Sequence, residues 1–109
     1  MVNIGDLFYE SWGYDQTNID FCQIIKLSPT GKTAICRMTG KRQVTDSTVA
    51  PNEATGPEFR LKVDYWEGRD GLKGTYPFVV QDGQAKATRF GYFSKYESPV
   101  YETPFGIGH

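Results

Sequence analysis

The sequence is poor in the residue types that most metal sites and nucleophilic active sites require. Its only histidine is the last residue, His109, and its two cysteines, Cys22 and Cys36, form no Cys-x-x-Cys pair. A zinc site therefore lacks ligands, and neither thiol has a histidine nearby in the sequence that would activate it. The spacing of the carboxylates matches no calcium loop. We therefore expect no metal, no cofactor and no enzymatic activity.

Long apolar runs and a strong net charge are also missing. No apolar run approaches the roughly 20 residues that span a bilayer, and the first residues have no signal-peptide character. We therefore expect a cytoplasmic protein without a membrane partner, in which Cys22 and Cys36 stay reduced. The formal net charge of −1 argues against strong non-specific DNA binding and equally against an acidic mimic of DNA.

Aromatic residues, glycine and proline are abundant. The 109 residues include seven Phe, seven Tyr, two Trp, 12 Gly and six Pro. Aromatic side chains favour strands, glycine and proline favour turns, and no window shows a helical period. We predict one all-β domain over residues 1–109, a small antiparallel barrel or strongly bent sheet, SH3-like or related, of about six or seven strands. An irregular tail from about residue 92 to 109 is expected to wrap the surface.

One hairpin is predicted at Ser28-Pro29-Thr30-Gly31. Proline suits the second position of a type I turn, and glycine suits a left-handed residue at the fourth. If the first and last residues of this turn pair, Cys22 faces Arg37 and Gln23 faces Cys36. The two cysteines then lie on opposite faces of the sheet, which excludes an easy disulfide between them. A shift of one residue would reverse that prediction.

A second hairpin is predicted at Asp82-Gly83, the standard two-residue hairpin signal. Counting outward from this turn, Phe78 faces Ala87 and Tyr76 faces Arg89. Both strands of this hairpin are expected to belong to the sheet.

Three other segments are predicted to lie outside regular strands because they are rich in glycine, proline and charged residues. Residues 40–42 are expected to form a turn, and residues 51–57 and 67–74 are expected to form loops. Residues 59–63 alternate apolar and basic side chains, which is typical of a half-exposed strand.

Residues 11–21, Ser-Trp-Gly-Tyr-Asp-Gln-Thr-Asn-Ile-Asp-Phe, combine large rings and hydrogen-bonding side chains more densely than a strand or turn requires. A flat aromatic face beside amide groups suits a nucleobase, through stacking and hydrogen bonds to the base edge. The candidate ligand-binding residues of this stretch are Trp12, Tyr14, Gln16, Thr17 and Asn18. The structural alternative is that the two rings cap the core while the polar side chains make local turns.

Basic residues without any intervening carboxylate fill residues 26–42. Of these, Arg37 and Arg42 are the best candidates for a phosphate contact, because a guanidinium grips phosphate in a bidentate fork. The alternative is a solvated face that pairs with the acidic residues of the first strands. A third candidate comprises Tyr65, Trp66, Arg69 and the glycines that follow, for which the alternative is a flexible connection.

The string Trp-Gly-Tyr-Asp-Gln-Thr-Asn at residues 12–18, together with Gly5-Asp6, resembles a group of small, mostly uncharacterised proteins encoded by bacteriophages and related mobile elements. The resemblance covers about the first 40 residues, with a fainter echo at residues 98–103. It implies a phage or prophage accessory protein that acts in the host bacterial cytoplasm. Such proteins often bind host components or counter host defence.

These observations lead to three hypotheses about function. The first is a non-enzymatic phage accessory binding protein, for example in counter-defence, that holds a nucleotide signal or a short nucleic-acid segment. The second is a protein-interaction inhibitor that docks an aromatic patch on a host or defence enzyme. The third is a nucleotide hydrolase, with carboxylate pairs such as Asp15 and Asp20 for acid–base chemistry. A homo-oligomer is compatible with each of them.

Overall fold

The computed structural model describes residues 2–12, 18–79, 86–97 and 99–101, which form an all-β structure. The strands are β1 Leu7–Trp12, β2 Asn18–Leu27, β3 Thr33–Thr45, β4 Thr48–Trp66, β5 Arg69–Val79, β6 Lys86–Lys95 and β7 Val100–Tyr101. Their order is β3-β2-β1-β6-β5-β4-β7, and β3 also pairs with β4. The first six strands therefore close into an antiparallel barrel, which confirms the predicted fold class. None of the described residues forms a helix of the length and hydropathy that crossing a bilayer requires.

The barrel interior is filled by side chains that alternate along each strand. Its fully buried members include Phe8, Ile24, Leu61, Leu72 and Phe93. Every second residue of a strand points inward, so the short apolar alternation of the sequence produces one continuous core. Closure of the barrel also removes the open edges through which small sheets aggregate.

A second, smaller core lies outside the barrel, on the outer face of β1 and β2. The hairpin of β3 and β4 extends beyond the barrel, and its register shifts on both sides of Thr39. Val49 in this arm packs with Ile19 and Phe21 of β2. Lys41 ties the arm to the same strand, since its Nζ donates a hydrogen bond of 2.9 Å to the Ile19 carbonyl. The two faces of β2 are therefore both covered, one by the barrel core and one by the arm.

The predicted register of the first hairpin is wrong. The turn itself is present, because the Gly31 N–H bonds to the Ser28 carbonyl at 2.9 Å and Gly31 has a φ of 73°. The ladder closes further out, however, where the Ser28 N–H donates to the Thr33 carbonyl, and a bulge follows at Ile25. Two additional loop residues and one bulge residue thus shift the pairing away from the predicted one.

The shifted register places the two cysteines in the same core, which corrects the prediction that they lie on opposite faces. Cys22 pairs with Met38, while Cys36 pairs with Ile24. Both cysteines are free thiols, are fully buried and belong to the barrel core. Burial raises the pKa of the Cys22 thiol well above its usual range. A buried thiol of this kind is inert rather than nucleophilic.

The second hairpin has the predicted register. Tyr76 pairs with Arg89 and Phe78 pairs with Ala87, while the turn at residues 82–83 lies outside the described residues. Its returning strand continues to Lys95, so the predicted tail begins four residues later than expected. β7 then pairs with the start of β4.

The three segments predicted to interrupt strands lie largely within strands instead. Residues 40–42 belong to β3, residues 51–57 to β4 and residues 69–74 to β5. The bulges of the β3–β4 arm accommodate the prolines and glycines, which a regular central strand would exclude. The connecting turn of that arm lies at residues 46–47.

Candidate functional site

The two end residues of the Trp12–Asn18 candidate lie on either side of the connection from β1 to β2. Trp12 ends β1 and Asn18 begins β2, and the two are directly opposite in the ladder. Asn18 is half-buried. Tyr14, Gln16 and Thr17 lie outside the described residues. The structure thus brings the two ends of this candidate together.

The two candidate arginines lie at separate places on β3. Arg37 is opposite Glu58 on β4, and its Nη2 donates to the Glu58 carboxylate at 2.8 Å. Arg37 is thus in a cross-strand pair, but with a carboxylate of β4 and not with the acidic residues of the first strands that the sequence suggested as partners. Arg42 is exposed on the arm, opposite Ala50. Of the basic set, Lys41 is the residue that contacts β2 next to Asn18.

A different set of side chains comes together on the outer face of β4, β5 and β6. Lys62 on β4 is opposite Lys73 on β5, which in turn is opposite Tyr92 on β6. The same face carries Trp66 opposite Arg69 at one end. We call this surface the aromatic-basic face; it consists of Arg60, Lys62, Trp66, Arg69, Lys73, Phe90 and Tyr92.

The electrostatics of the aromatic-basic face are unbalanced. Lys62 and Lys73 occupy directly opposite positions, where like charges repel and destabilise the pair. Asp64 lies on the same face, and its carboxylate is 3.8 Å from Lys73 Nζ. Lys62 and Arg60 form no ion pair with any residue that the structure describes. This face is therefore basic, although the whole chain has a net charge of −1.

Its aromatic side chains are unusually exposed. Trp66 and Phe90 each keep 68% of their surface accessible, and Tyr92 keeps 42%. The Tyr92 side chain crosses Gly71, where an added Cβ would lie 2.7 Å from Tyr92 Cζ. Gly71 thus provides the space in which the ring lies against the sheet. Exposed rings of this size beside cations are the groups that single-stranded nucleic acids stack on.

An open cleft of about 610 Å³ lies at one end of this face. Its lining includes Trp66, Arg69 and Tyr92 together with Tyr9 of β1 and Lys95 of β6. Asp70 and Glu97 also line it, so its charge is mixed. The volume falls in the range of small-molecule sites.

A polar cluster occupies the barrel interior. Glu10 is only 5% exposed, and the Arg89 Nη2 donates to its Oε1 at 2.7 Å. The Tyr76 hydroxyl donates to Asp20 Oδ2 at 2.7 Å. Glu10 is opposite Asp20, and Tyr76 is opposite Arg89, so the cluster joins the β1–β2 and β5–β6 hairpins across the barrel.

Burial is the main cause of the pKa shifts of Glu10 and Tyr76. It raises the pKa of Glu10, with Arg89 opposing the shift and Asp20 adding to it. Burial likewise raises the pKa of the Tyr76 hydroxyl, followed by the negative charge of Asp20. Among the described residues, none donates a hydrogen bond to the buried Glu10 Oε2 atom. Within the described residues no three potential ligands gather around a metal position. The cluster therefore acts as an internal tie between hairpins.

Most of the aromatic-basic face was not predicted from the sequence. The predicted candidate residues include Trp66 and Arg69, but not Lys62, Lys73 or Tyr92. The alternation over residues 59–63 did indicate that basic side chains point outward there. The alternation alone does not predict the strand register that places Lys62 opposite Lys73.

Comparison with known proteins returned no matching family model, no matching curated protein and no matching solved structure. The function is therefore inferred from the geometry of the site.

Proposed function

We propose that the protein is a non-enzymatic binding protein that holds a nucleotide or a short nucleic-acid segment on the aromatic-basic face. The observation that carries the proposal is the row formed by Lys62, Lys73 and Tyr92. A phosphate between the two ammonium groups would relieve their repulsion, and the adjacent ring offers a base a surface on which to stack. A nucleotide carries both a negative phosphate for the lysines and an aromatic base for the ring.

The proposal keeps the ligand class expected from the sequence and changes the residues that bind it. Arg37 is engaged with Glu58, which removes its main advantage as a phosphate ligand. The Trp12–Asn18 stretch stays a separate prediction. The phage origin, the counter-defence role and the bacterial cytoplasm also stay predictions, implied by the sequence resemblance.

Fluorescence anisotropy with a labelled oligothymidylate of about twelve nucleotides tests the proposal. Lys62→Glu is expected to weaken binding at least about tenfold at low salt and to reduce the slope of log affinity against log salt by about 0.7 per lost phosphate contact. Arg42→Glu is the matched control, because it makes the same change of charge on an exposed residue outside this face. A thermal-shift panel of mononucleotides covers the small-ligand form of the proposal.

The outcomes separate the two candidate sites. Loss of binding in Lys62→Glu but not in Arg42→Glu supports the aromatic-basic face. The reverse pattern would assign binding to the site predicted from the sequence. Absence of binding to the oligonucleotide and to every nucleotide in the panel would refute the proposal, and consumption of a nucleotide would indicate the hydrolase instead.

Docking on a host or defence enzyme is the second candidate function. Trp66 and Arg69 are directly opposite, and both are exposed. Tryptophan and arginine are the residue types most enriched in interface hot spots. If docking is the function, Trp66→Ala should abolish binding to a protein partner, and the unmodified protein should have no affinity for oligothymidylate. The oligothymidylate measurement on the unmodified protein therefore distinguishes the two functions.

A further inference from the structure

We infer that the ligand of the aromatic-basic face is an extended single strand of about three or more nucleotides, rather than a mononucleotide or a duplex. The inference rests on the proposed function and specifies its ligand class. Three features of the face support it: the spacing of its rings, the repetition of its cations and the position of the adjoining cleft.

Phe90 and Tyr92 occupy positions on β6 that have the spacing of unstacked bases. The two residues are separated by one residue on β6 and point to the same side of the sheet. Their positions are therefore about 7 Å apart along the strand. Successive bases in a duplex are about 3.4 Å apart and hide their faces against each other. A strand that places one base on each ring must be extended and unpaired.

The cations of the face repeat at the same interval. Lys62 and Lys73 share a row with Tyr92. Arg60 lies two residues before Lys62 on β4, and Phe90 lies two residues before Tyr92 on β6, so each lies one step along the sheet from that row. These two steps each carry a cation and a ring, as each nucleotide carries a phosphate and a base. A mononucleotide would occupy one row and leave the other empty.

The cleft continues the path beyond Tyr92. It lies between Tyr92 and the directly opposite pair of Trp66 and Arg69. Its volume of about 610 Å³ is enough for one nucleotide. The pair at its far end again combines a ring with a cation. The row between Tyr92 and this pair holds Asp64, Gly71 and Ser94 and carries no ring. The path from Phe90 through Tyr92 to Trp66 offers rings for about three bases, slightly fewer than the roughly 4–16 nucleotides that one small OB-fold barrel binds.

A length series tests the inference by competition against a labelled oligothymidylate of about twelve nucleotides. The competitors are thymidine monophosphate, oligothymidylates of about two, four and eight nucleotides, a duplex of equal length and an abasic deoxyribose-phosphate oligomer. We expect the affinity to rise at least about tenfold between the monophosphate and the four-nucleotide strand and then to level off. The duplex and the abasic oligomer should compete more weakly than the single strand.

Variants of the rings provide a second measurement. Phe90→Ala and Tyr92→Ala should each weaken the four-nucleotide strand at least about fivefold. Tyr92→Phe keeps the ring and should keep the affinity. Tyr65→Ala is the matched control, because Tyr65 is an exposed ring whose position alternates to the other side of β4. Urea unfolding of each variant checks that the fold is intact, as expected for exposed side chains.

The results distinguish the inference from the proposed function. Equal affinity for the monophosphate and the four-nucleotide strand would overturn the inference and leave nucleotide binding standing. Equal competition by the abasic oligomer or the duplex would also overturn it, because neither offers free bases to the rings. Failure of every competitor and of the labelled strand to bind would overturn both.

Discussion

Gly91→Ala should strongly destabilise the protein because the Glu10 carboxylate occupies the space beside the Gly91 Cα. A Cβ at residue 91 would lie 2.5 Å from Glu10 Cδ and 2.9 Å from Oε1, and closer still to Oε2. The φ of Gly91 is not positive, so the backbone by itself would accept alanine. Any cost therefore reports the contact with Glu10.

The expected loss of stability in Gly91→Ala follows from the contacts that the Glu10 carboxylate would lose. Overpacking a core costs about 1–3 kcal/mol. Displacing Glu10 also breaks its partly buried ion pair with Arg89, for which the cost of about 3–5 kcal/mol for a fully buried pair is an upper bound. The carboxylate has some freedom to shift, so we expect a total of about 2–5 kcal/mol. A domain of this size has a stability of about 5–15 kcal/mol, so the variant would be marginal.

Urea unfolding of a double-mutant cycle measures this effect. In a Glu10→Ala background the space beside residue 91 is empty, so Gly91→Ala should cost less than about 1 kcal/mol there. Gly40→Ala is the control, because its Cβ would meet the nearest atom, Asn52 Cβ, at 3.6 Å. An equal loss of stability from Gly91→Ala in both backgrounds would refute the reasoning.

Three further predictions concern titration, thiol chemistry and the β3–β4 arm. Because burial raises the pKa of Glu10, its contribution to stability is fully present below its unfolded pKa and is lost as pH rises through its folded pKa. Glu10→Gln should therefore flatten the decline of the unfolding free energy as pH rises above 4.5, and an unchanged pH profile would contradict this. The Cys22 thiol is fully buried, so an alkylating reagent should modify it slowly in native protein and rapidly in urea, and rapid native modification would show that the core is open. Gly56→Ala would place its Cβ 2.7 Å from Met38 Cβ and 3.0 Å from the Met38 carbonyl oxygen, and should cost about 1–3 kcal/mol in urea unfolding; a cost no larger than that of Gly40→Ala would contradict it.

The turn residues predict the strand register of one hairpin correctly and that of the other hairpin incorrectly. Asp82-Gly83 predicts a two-residue turn, and the register follows from it out to Tyr76 and Arg89. The Ser28–Gly31 turn also forms, but the ladder closes at Thr33 and then bulges at Ile25. Bulges follow from how a whole strand fits the barrel, which a four-residue signal does not contain. Because the predicted register was wrong, the prediction that Cys22 and Cys36 lie on opposite faces of the sheet was also wrong.

The prediction that segments rich in proline and glycine form loops was wrong for a related reason. Proline and glycine at residues 51–57 predict a loop from local preferences alone. The segment instead forms part of β4, where the arm bends across the outer face of β2 and buries Val49. The apolar contact and the bulged ladder together outweigh the local preference for a loop, because strand preference depends strongly on tertiary context.

The sequence by itself determined the all-β class, the small barrel, the second hairpin and the poverty of metal and nucleophilic ligands, because composition, alternation and turn residues act locally. Only the tertiary structure decided that Lys62 meets Lys73 beside Tyr92, and that Glu10 fills the space left by Gly91. These contacts join residues far apart in the chain through register and barrel closure. A shift of one residue turns a side chain to the other face, so no local pattern can specify them.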